Sequence, residues 1–329
     1  DEDGNVFPVK ASELKVGSKI AVPRRIHINE NNDPIDLYEI FKKAPKEVIS
    51  KLYLHFDRSS TLKILSLCDT SKINYITLYQ WKKFGRIPLS FLYENKIPSS
   101  MFPANTKIQI VGGRHKYPVK IKKSRDLGIV LGYLLSESCN IINDKRDNAR
   151  TVSFSNKSKI IMEEFIRSFS KVFEKPTTKV RITKKTTSNK IFYTRVINVG
   201  YDLLSYILEY AFDYPAGARS EEKNVPSILL DAPKECIEGF LYAYIKGDGT
   251  YQSERYVDVV RIYSSSRNMI NSIAFLLLRL GVFPRICEAK FQSNRRHKYI
   301  LYVGSKEYVQ KLNKIINKTA SLNPRKNDK

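Results

Sequence analysis

Two apolar stretches, each closed by a single acid, constrain the fold of this chain more than any other feature. The stronger runs Cys236-Ile237-Glu238-Gly239-Phe240-Leu241-Tyr242-Ala243-Tyr244-Ile245-Lys246-Gly247-Asp248-Gly249-Thr250. A weaker echo upstream runs Leu127-Gly128-Ile129-Val130-Leu131-Gly132-Tyr133-Leu134-Leu135-Ser136-Glu137-Ser138. Each reads as an apolar helix with small residues on one face and a carboxylate at its C-terminal end. Pro226 and Pro233 precede the second helix, and Gly249 is expected to take the left-handed conformation that ends it. An acid at a helix C-terminus faces the negative end of the macrodipole and needs a cation to answer it. If the helices pack side by side, Gly132 and Ala243 let the backbones approach and bring Glu137 and Asp248 together. Neighbouring carboxylates repel unless a proton or a metal lies between them, and oxygen ligands suit a hard ion such as Mg²⁺.

At these residues the chain resembles the LAGLIDADG homing endonucleases. Their motif is an apolar helix with a small residue third, an acid eighth and usually Gly ninth. Gly132, Glu137 and Ser138 fill those places in the first copy, and Ala243, Asp248 and Gly249 in the second. Ser138 departs from the pattern, and the sixth position holds Leu135 and Lys246 where the family has an acid. The resemblance implies an α+β fold, a pseudo-twofold duplicated αββαββα unit whose antiparallel sheets form a DNA-binding saddle. It further implies a site-specific endonuclease that makes a staggered double-strand break in a long asymmetric target. Two or three Mg²⁺ ions would be shared between Glu137 and Asp248, with Ser136 and Gly247, the residue before each acid, in the metal site. Asn156-Lys157 best matches the family's polar catalytic periphery, with Lys190 and Lys298 as further candidates. Ser265-Ser266 takes the symmetric place, so the halves are not equivalent and one chain suffices as a monomer without a protein partner.

A net charge of +24 on 329 residues points to a polyanion, with nucleic acid ahead of an anionic membrane. The longest apolar run, Ile273 to Phe283, is interrupted by Arg279, so no membrane span is expected. The opening Asp-Glu-Asp-Gly is not a signal peptide. Cys68, Cys139, Cys236 and Cys287 lie far apart and read as free thiols in a reducing interior, hence a cytoplasmic location, nucleoid-associated in a prokaryote. His27, His55, His115 and His297 are equally scattered and give a histidine metal site little support.

The chain divides into residues 1–28, 29–118, 119–225, 226–318 and a basic tail, 319–329. The first segment, with Val6-Phe7-Pro8-Val9-Lys10 and Ile20-Ala21-Val22-Pro23-Arg24-Arg25, resembles the part of an intein splicing domain that precedes an inserted endonuclease. No Cys or Ser stands at residue 1 and no His-Asn pair closes the chain, so a remnant is expected and not a working splicing unit. Residues 29–118 read as helical in their first two-thirds, with Asp36–Phe41, Val48–Tyr53, Ser60–Cys68 and Asn74–Pro88 at helical spacing. The last pair suits a helix-turn-helix, with Thr77, Gln80, Lys82 and Lys83 as DNA contacts.

From Val119 the order helix, strands, helix, strands, helix occurs twice, an internal duplication. Ser153-Phe154-Ser155-Asn156 is matched to Ile262-Tyr263-Ser264-Ser265, and Asn198-Val199-Gly200 to Tyr302-Val303-Gly304. The hairpins carry the charge: Lys179, Arg181, Lys184, Lys185, Lys190 and Arg195 in the first, Arg285, Lys290, Arg295, Arg296 and Lys298 in the second. Alternation such as Lys179-Val180-Arg181-Ile182-Thr183 puts basic groups on one wet face of a sheet that can lie in a DNA groove. Two other readings fit the same scaffold: a DNA-binding regulator without catalysis, and an RNA-splicing helper.

Overall fold

The computed structural model describes residues 7–18, 20–143, 149–174, 180–187, 190–254, 257–289 and 298–317. In the amino-terminal unit the order is β1 (Ile35–Asp36), α1 (Leu37–Phe41), α2 (Lys46–Ile49), β2 (Leu52–His55), α3 (Arg58–Ser66), α4 (Tyr75–Phe84), β3 (Arg86–Pro88), α5 (Leu89–Glu94), β4 (Lys107–Ile110), β5 (Lys116–Pro118) and β6 (Lys120–Ile121). Each central half then repeats one pattern. The first contains α6 (Arg125–Glu137), β7 (Ser138–Asn143), β8 (Ala149–Asn156), α7 (Lys159–Phe173), β9 (Arg181–Thr187), β10 (Lys190–Tyr201) and α8 (Asp202–Phe212). The second contains α9 (Lys234–Asp248), β11 (Gly249–Glu254), β12 (Val257–Ser264), α10 (Arg267–Arg279), β13 (Arg285–Ala289), β14 (Lys298–Val303) and α11 (Lys306–Asn317). This is the α+β, duplicated αββαββα architecture. The two sheets are antiparallel and ordered alike, β7-β8-β10-β9 and β11-β12-β14-β13.

The halves meet along α6 and α9. Along this seam there is no room for side chains: a Cβ on Gly132 would fall 2.5 Å from the Phe240 carbonyl oxygen and 2.8 Å from Ala243 Cβ. Backbones this close gain dense contact over two otherwise buried apolar faces. Phe154, Phe165, Phe169 and Phe173 stack in sequence beneath the first sheet, with neighbouring ring centroids 4.1–5.7 Å apart.

The residues expected to be mainly helical, 29–118, also carry a four-stranded antiparallel sheet, ordered β3-β2-β4-β5. The helix expected over Val48–Tyr53 stops at Ile49, because Leu52 and Leu54 are fully buried while Tyr53 and His55 are half-buried. A two-residue period sends them to opposite faces of a strand. This unit rests on the first half through Phe41 against Tyr210 and Tyr117 against Phe173. Ahead of it, Ile26 N–H donates to the Leu278 carbonyl and Asn31 N–H to that of Asp231, binding the entering chain to the second half.

Pairing corrects one of the matched strand positions. Phe154 pairs with Ser138 and Ile197, while Ile262 pairs with Gly249 and Leu301, so Phe154 corresponds to Ile262 and not to Tyr263. Both are completely buried, and a slip of one residue would turn the core face outward. The equivalents of Asn156 and Lys157 are therefore Ser264 and Ser265. Asn198 and Tyr302 do correspond.

Candidate active site and nucleic-acid interface

Glu137 and Asp248 are the last residues of α6 and α9, and each helix runs straight into a strand. Gly249 does not take the expected left-handed conformation; its φ is −97° and that of Ser138 −111°, both extended. Gly249 is needed for space, since a Cβ there would lie 2.8 Å from Ile245 Cγ2 and crowd the Ile245 carbonyl. Ser138 solves the same problem differently: its hydroxyl donates to the equivalent carbonyl, that of Leu134. The serine therefore ends its helix as well as the glycine does.

At Gly247 a Cβ would come within 2.7 Å of Ser136 Cβ and 3.3 Å of Glu137 Cγ, so the two helix ends touch just before their acids. Burial, then the charge of Asp248, pushes the Glu137 carboxyl up to about 7, with Lys223 pulling the other way. Burial raises Asp248 to about 6, against the Lys223 charge and a hydrogen bond from Tyr244. Both groups thus hold protons well above the ordinary carboxylate range.

Lys223 was not legible as a site residue; it lies in the polar join between the halves. It is half-buried, its Nζ donates to the Leu135 carbonyl at 2.8 Å, and it sits 5.2 Å from the centre of the Tyr214 ring. Burial pushes its ammonium down, while Asp248, Cys139 and Glu137 support the charged form. Lys223 joins Ser136, Ser220, Tyr244, Ser264 and Ser265 in lining a cleft beside Asp248. Tyr244 hydrogen-bonds Ser264 as well as Asp248.

Among the described residues no group of three or more His, Cys, Asp or Glu side chains could hold a metal. The two neighbouring carboxylates nevertheless suit a hard ion such as Mg²⁺, which keeps several waters and is bound through one or two carboxylates plus substrate phosphates. Asn156 ends β8 and its side chain accepts from Ser158 N–H at 2.8 Å, shaping the turn into α7. Lys157 follows, exposed, and its carbonyl accepts from Arg195 Nη1.

The open faces of the sheets follow from register. Arg181 pairs with Val196, which pairs with Ser155, all opposite in parity to buried Phe154 and Ile197, so Arg181 is on the open face. Arg195 shares the parity of Phe154 and turns to Lys157 instead. In the second sheet Arg285 and Arg261 both pair with Tyr302, and Arg261 lies 5.8 Å from its ring centre. Arg261 is thus a further basic group of that face. Lys179, Lys290, Arg295 and Arg296 lie outside the described residues, as do the side chains of Lys184, Lys185, Lys190 and Lys298. On α4, Gln80, Lys82 and Lys83 are exposed and Thr77 is half-buried.

Residues 235–317, which span the second half from α9 to α11, match the LAGLIDADG-like domain. The matched region opens on α9, which ends in Asp248. The chain is 24% identical over 315 residues to the probable translation initiation factor IF-2 of Methanocaldococcus jannaschii, covering 93% of this chain and 24% of that protein. It is 28% identical over 335 residues to a DNA polymerase of Thermococcus litoralis, covering 85% of this chain and 18% of that protein. The chain thus spans about a quarter or less of the length of these relatives. Among solved structures it is similar to the homing endonuclease I-WcaI bound to its DNA recognition sequence, with 15% identity, a TM-score of 0.45, and coverage of 59% of this chain and 82% of that one. It is also similar to I-DmoI in complex with DNA and Mn, with 13% identity, a TM-score of 0.39, and coverage of 60% and 98%. No helix among the described residues is long and apolar enough to cross a membrane.

Proposed function

We propose that this chain is a site-specific, metal-dependent DNA endonuclease acting as a monomer. The observation that carries the reading is the pair Glu137 and Asp248, held at the touching ends of two glycine-seamed helices with Lys223 beside them. Glu137 and Asp248 would hold Mg²⁺, which would supply charge stabilisation at the scissile phosphate and lower the pKa of an attacking water. Glu137 and Asp248 offer the oxygen ligands once deprotonated, and Ser136 and Gly247 set the backbone spacing between them. Tyr244 orients Asp248 by its hydrogen bond, and Ser264 in turn holds Tyr244. Lys223 places a cation where negative charge grows on the phosphate, and Asn156, Lys157, Lys190 and Lys298 complete the polar surround. The basic open faces bearing Arg181, Arg261 and Arg285 hold the duplex, with contacts to phosphates positioning it and contacts to base edges selecting it.

Incubation with a plasmid library and Mg²⁺ tests the reading. The wild-type chain cuts a subset of plasmids, while Asp248→Asn lowers cleavage about a thousandfold or more and leaves binding nearly unchanged. Comparable cutting by the variant removes Asp248 from the chemistry, and binding without cutting by the wild type supports the regulator reading. An origin as an insert in host proteins is supported by similarity to segments of both a translation factor and a DNA polymerase. The intein-like segment supports it too, since Val16, Ile20 and Val22 expose apolar side chains that a splicing domain would cover.

A further inference from the structure

Register sorts the side chains of the amino-terminal sheet into two unlike faces. Leu54 pairs with Ile87 and Ile108, all completely buried. On the other face His55 pairs with Arg86 and Lys107, and Gln109 with Tyr53 and Lys116. Arg86 lies 4.9 Å from the Tyr53 ring centre, and Lys107 meets Glu174 at 2.9 Å. Among the described residues no carboxylate lies within ion-pair distance of Arg86 or Lys116. His55 Nε2 is buried without a hydrogen-bond partner there. The cations feel one another: burial, then Arg86 and Lys107, pushes Lys116 down, and burial, then Lys116, pushes His55 down to about 4 against a hydrogen bond with Gln109. Repelling charges on an open face are relieved by an anion.

The layout favours an extended anion. Arg86 and Lys116 lie on the two edge strands of this sheet, their backbones three strand spacings or about 14 Å apart, so the basic groups cross the whole width of the face. Exposed Lys82 and Lys83 end α4 just before Arg86 and lengthen the basic strip. At the other end Lys107 reaches Glu174, the residue that closes α7 ahead of β9 in the first saddle sheet.

We propose that this face binds the phosphate backbone of duplex DNA flanking the first saddle sheet, so that the contact continues onto the amino-terminal unit. It rests on the DNA-binding reading above and adds a sheet face to the α4 contacts expected there. Lysine-reactive labelling read by mass spectrometry tests it on the full chain, with a mixed-sequence duplex of about 60 base pairs, in EDTA to prevent cutting. The duplex is expected to protect Lys116 as well as Lys157. Replacing Arg86 and Lys116 with Gln together should reduce the slope of log affinity against log salt by about 2, one for each lost phosphate contact. Protection of Lys157 with Lys116 still labelled, and an unchanged slope, overturns this proposal alone. Protection of neither lysine with no duplex bound overturns the function reading and this proposal together. Stronger protection of Lys116 by a structured RNA than by the duplex overturns the choice of DNA.

Discussion

Glu137 and Asp248 are costly residues for the protein to keep. Their carboxyls titrate near 7 and 6, against ordinary values of 4.5 and 3.8. A raised pKa means that between about pH 4 and 7 the folded chain holds protons the unfolded chain has released. The resulting stability is full below the ordinary carboxylate range and is lost as pH rises through 6 and 7. Metal-free protein should therefore melt at a higher temperature near pH 5 than near pH 8, the pair contributing on the order of 1–3 kcal/mol after allowing for solvent screening. Glu137→Gln with Asp248→Asn should flatten that dependence, and Mg²⁺ should raise the melting temperature of the wild type alone near pH 8. Thermal melts across pH, with and without Mg²⁺, check both points. Lys223 acts in the opposite direction on both acids. Lys223→Gln should reduce cleavage about 10- to 100-fold and move the acid limb of its pH profile upward. A fall in rate with an unmoved profile would reduce Lys223 to a structural support for the Leu135 carbonyl.

At the scale of elements, α7 of the first half grips α9 of the second. Glu164 accepts from Tyr133 and Tyr242 and pairs with Lys246 at 3.1 Å, both charged side chains less than a tenth exposed. Lys246 holds the motif place where the resemblance leads one to expect an acid, and its counterpart in the first copy is Leu135. The buried pair thus marks one side of the seam and an apolar residue the other, which distinguishes the halves. Glu164→Leu strands the Lys246 charge and should cost roughly 3–5 kcal/mol, whereas Glu164→Leu with Lys246→Leu should restore most of it. Urea denaturation of the single and double variants is the measurement. A single variant as stable as wild type would mean the pair is solvated. The α7, α8, α10 and α11 helices were legible from their apolar spacing. β7 and β11 were harder to see, since each begins directly after an acid with no turn residue to announce it. The sheet in the amino-terminal unit was missed because its strands are only three or four residues long among short helices.

For the whole molecule, both acids, both saddle sheets and the seam between them come from one chain. The fold therefore needs no second copy to complete the candidate site. Sedimentation of the protein with a bound duplex should give the mass of one chain per duplex, and cleavage rate should rise linearly with protein concentration. A dimer mass or a second-order dependence would contradict a monomeric enzyme. On the proposed reading, the +24 net charge should make duplex association steep in salt.

The sequence by itself determined the duplication, the two acid-closed helices and the basic hairpins. Apolar periodicity, small residues and charge are local properties that survive without coordinates. Tertiary structure alone decided which residues of distant segments meet. Lys223 comes from an irregular join with no periodicity, and only packing carries its ammonium to the end of α6. The one-residue correction between Phe154 and Ile262 has the same origin, because pairing partners choose which alternate side chains face the core.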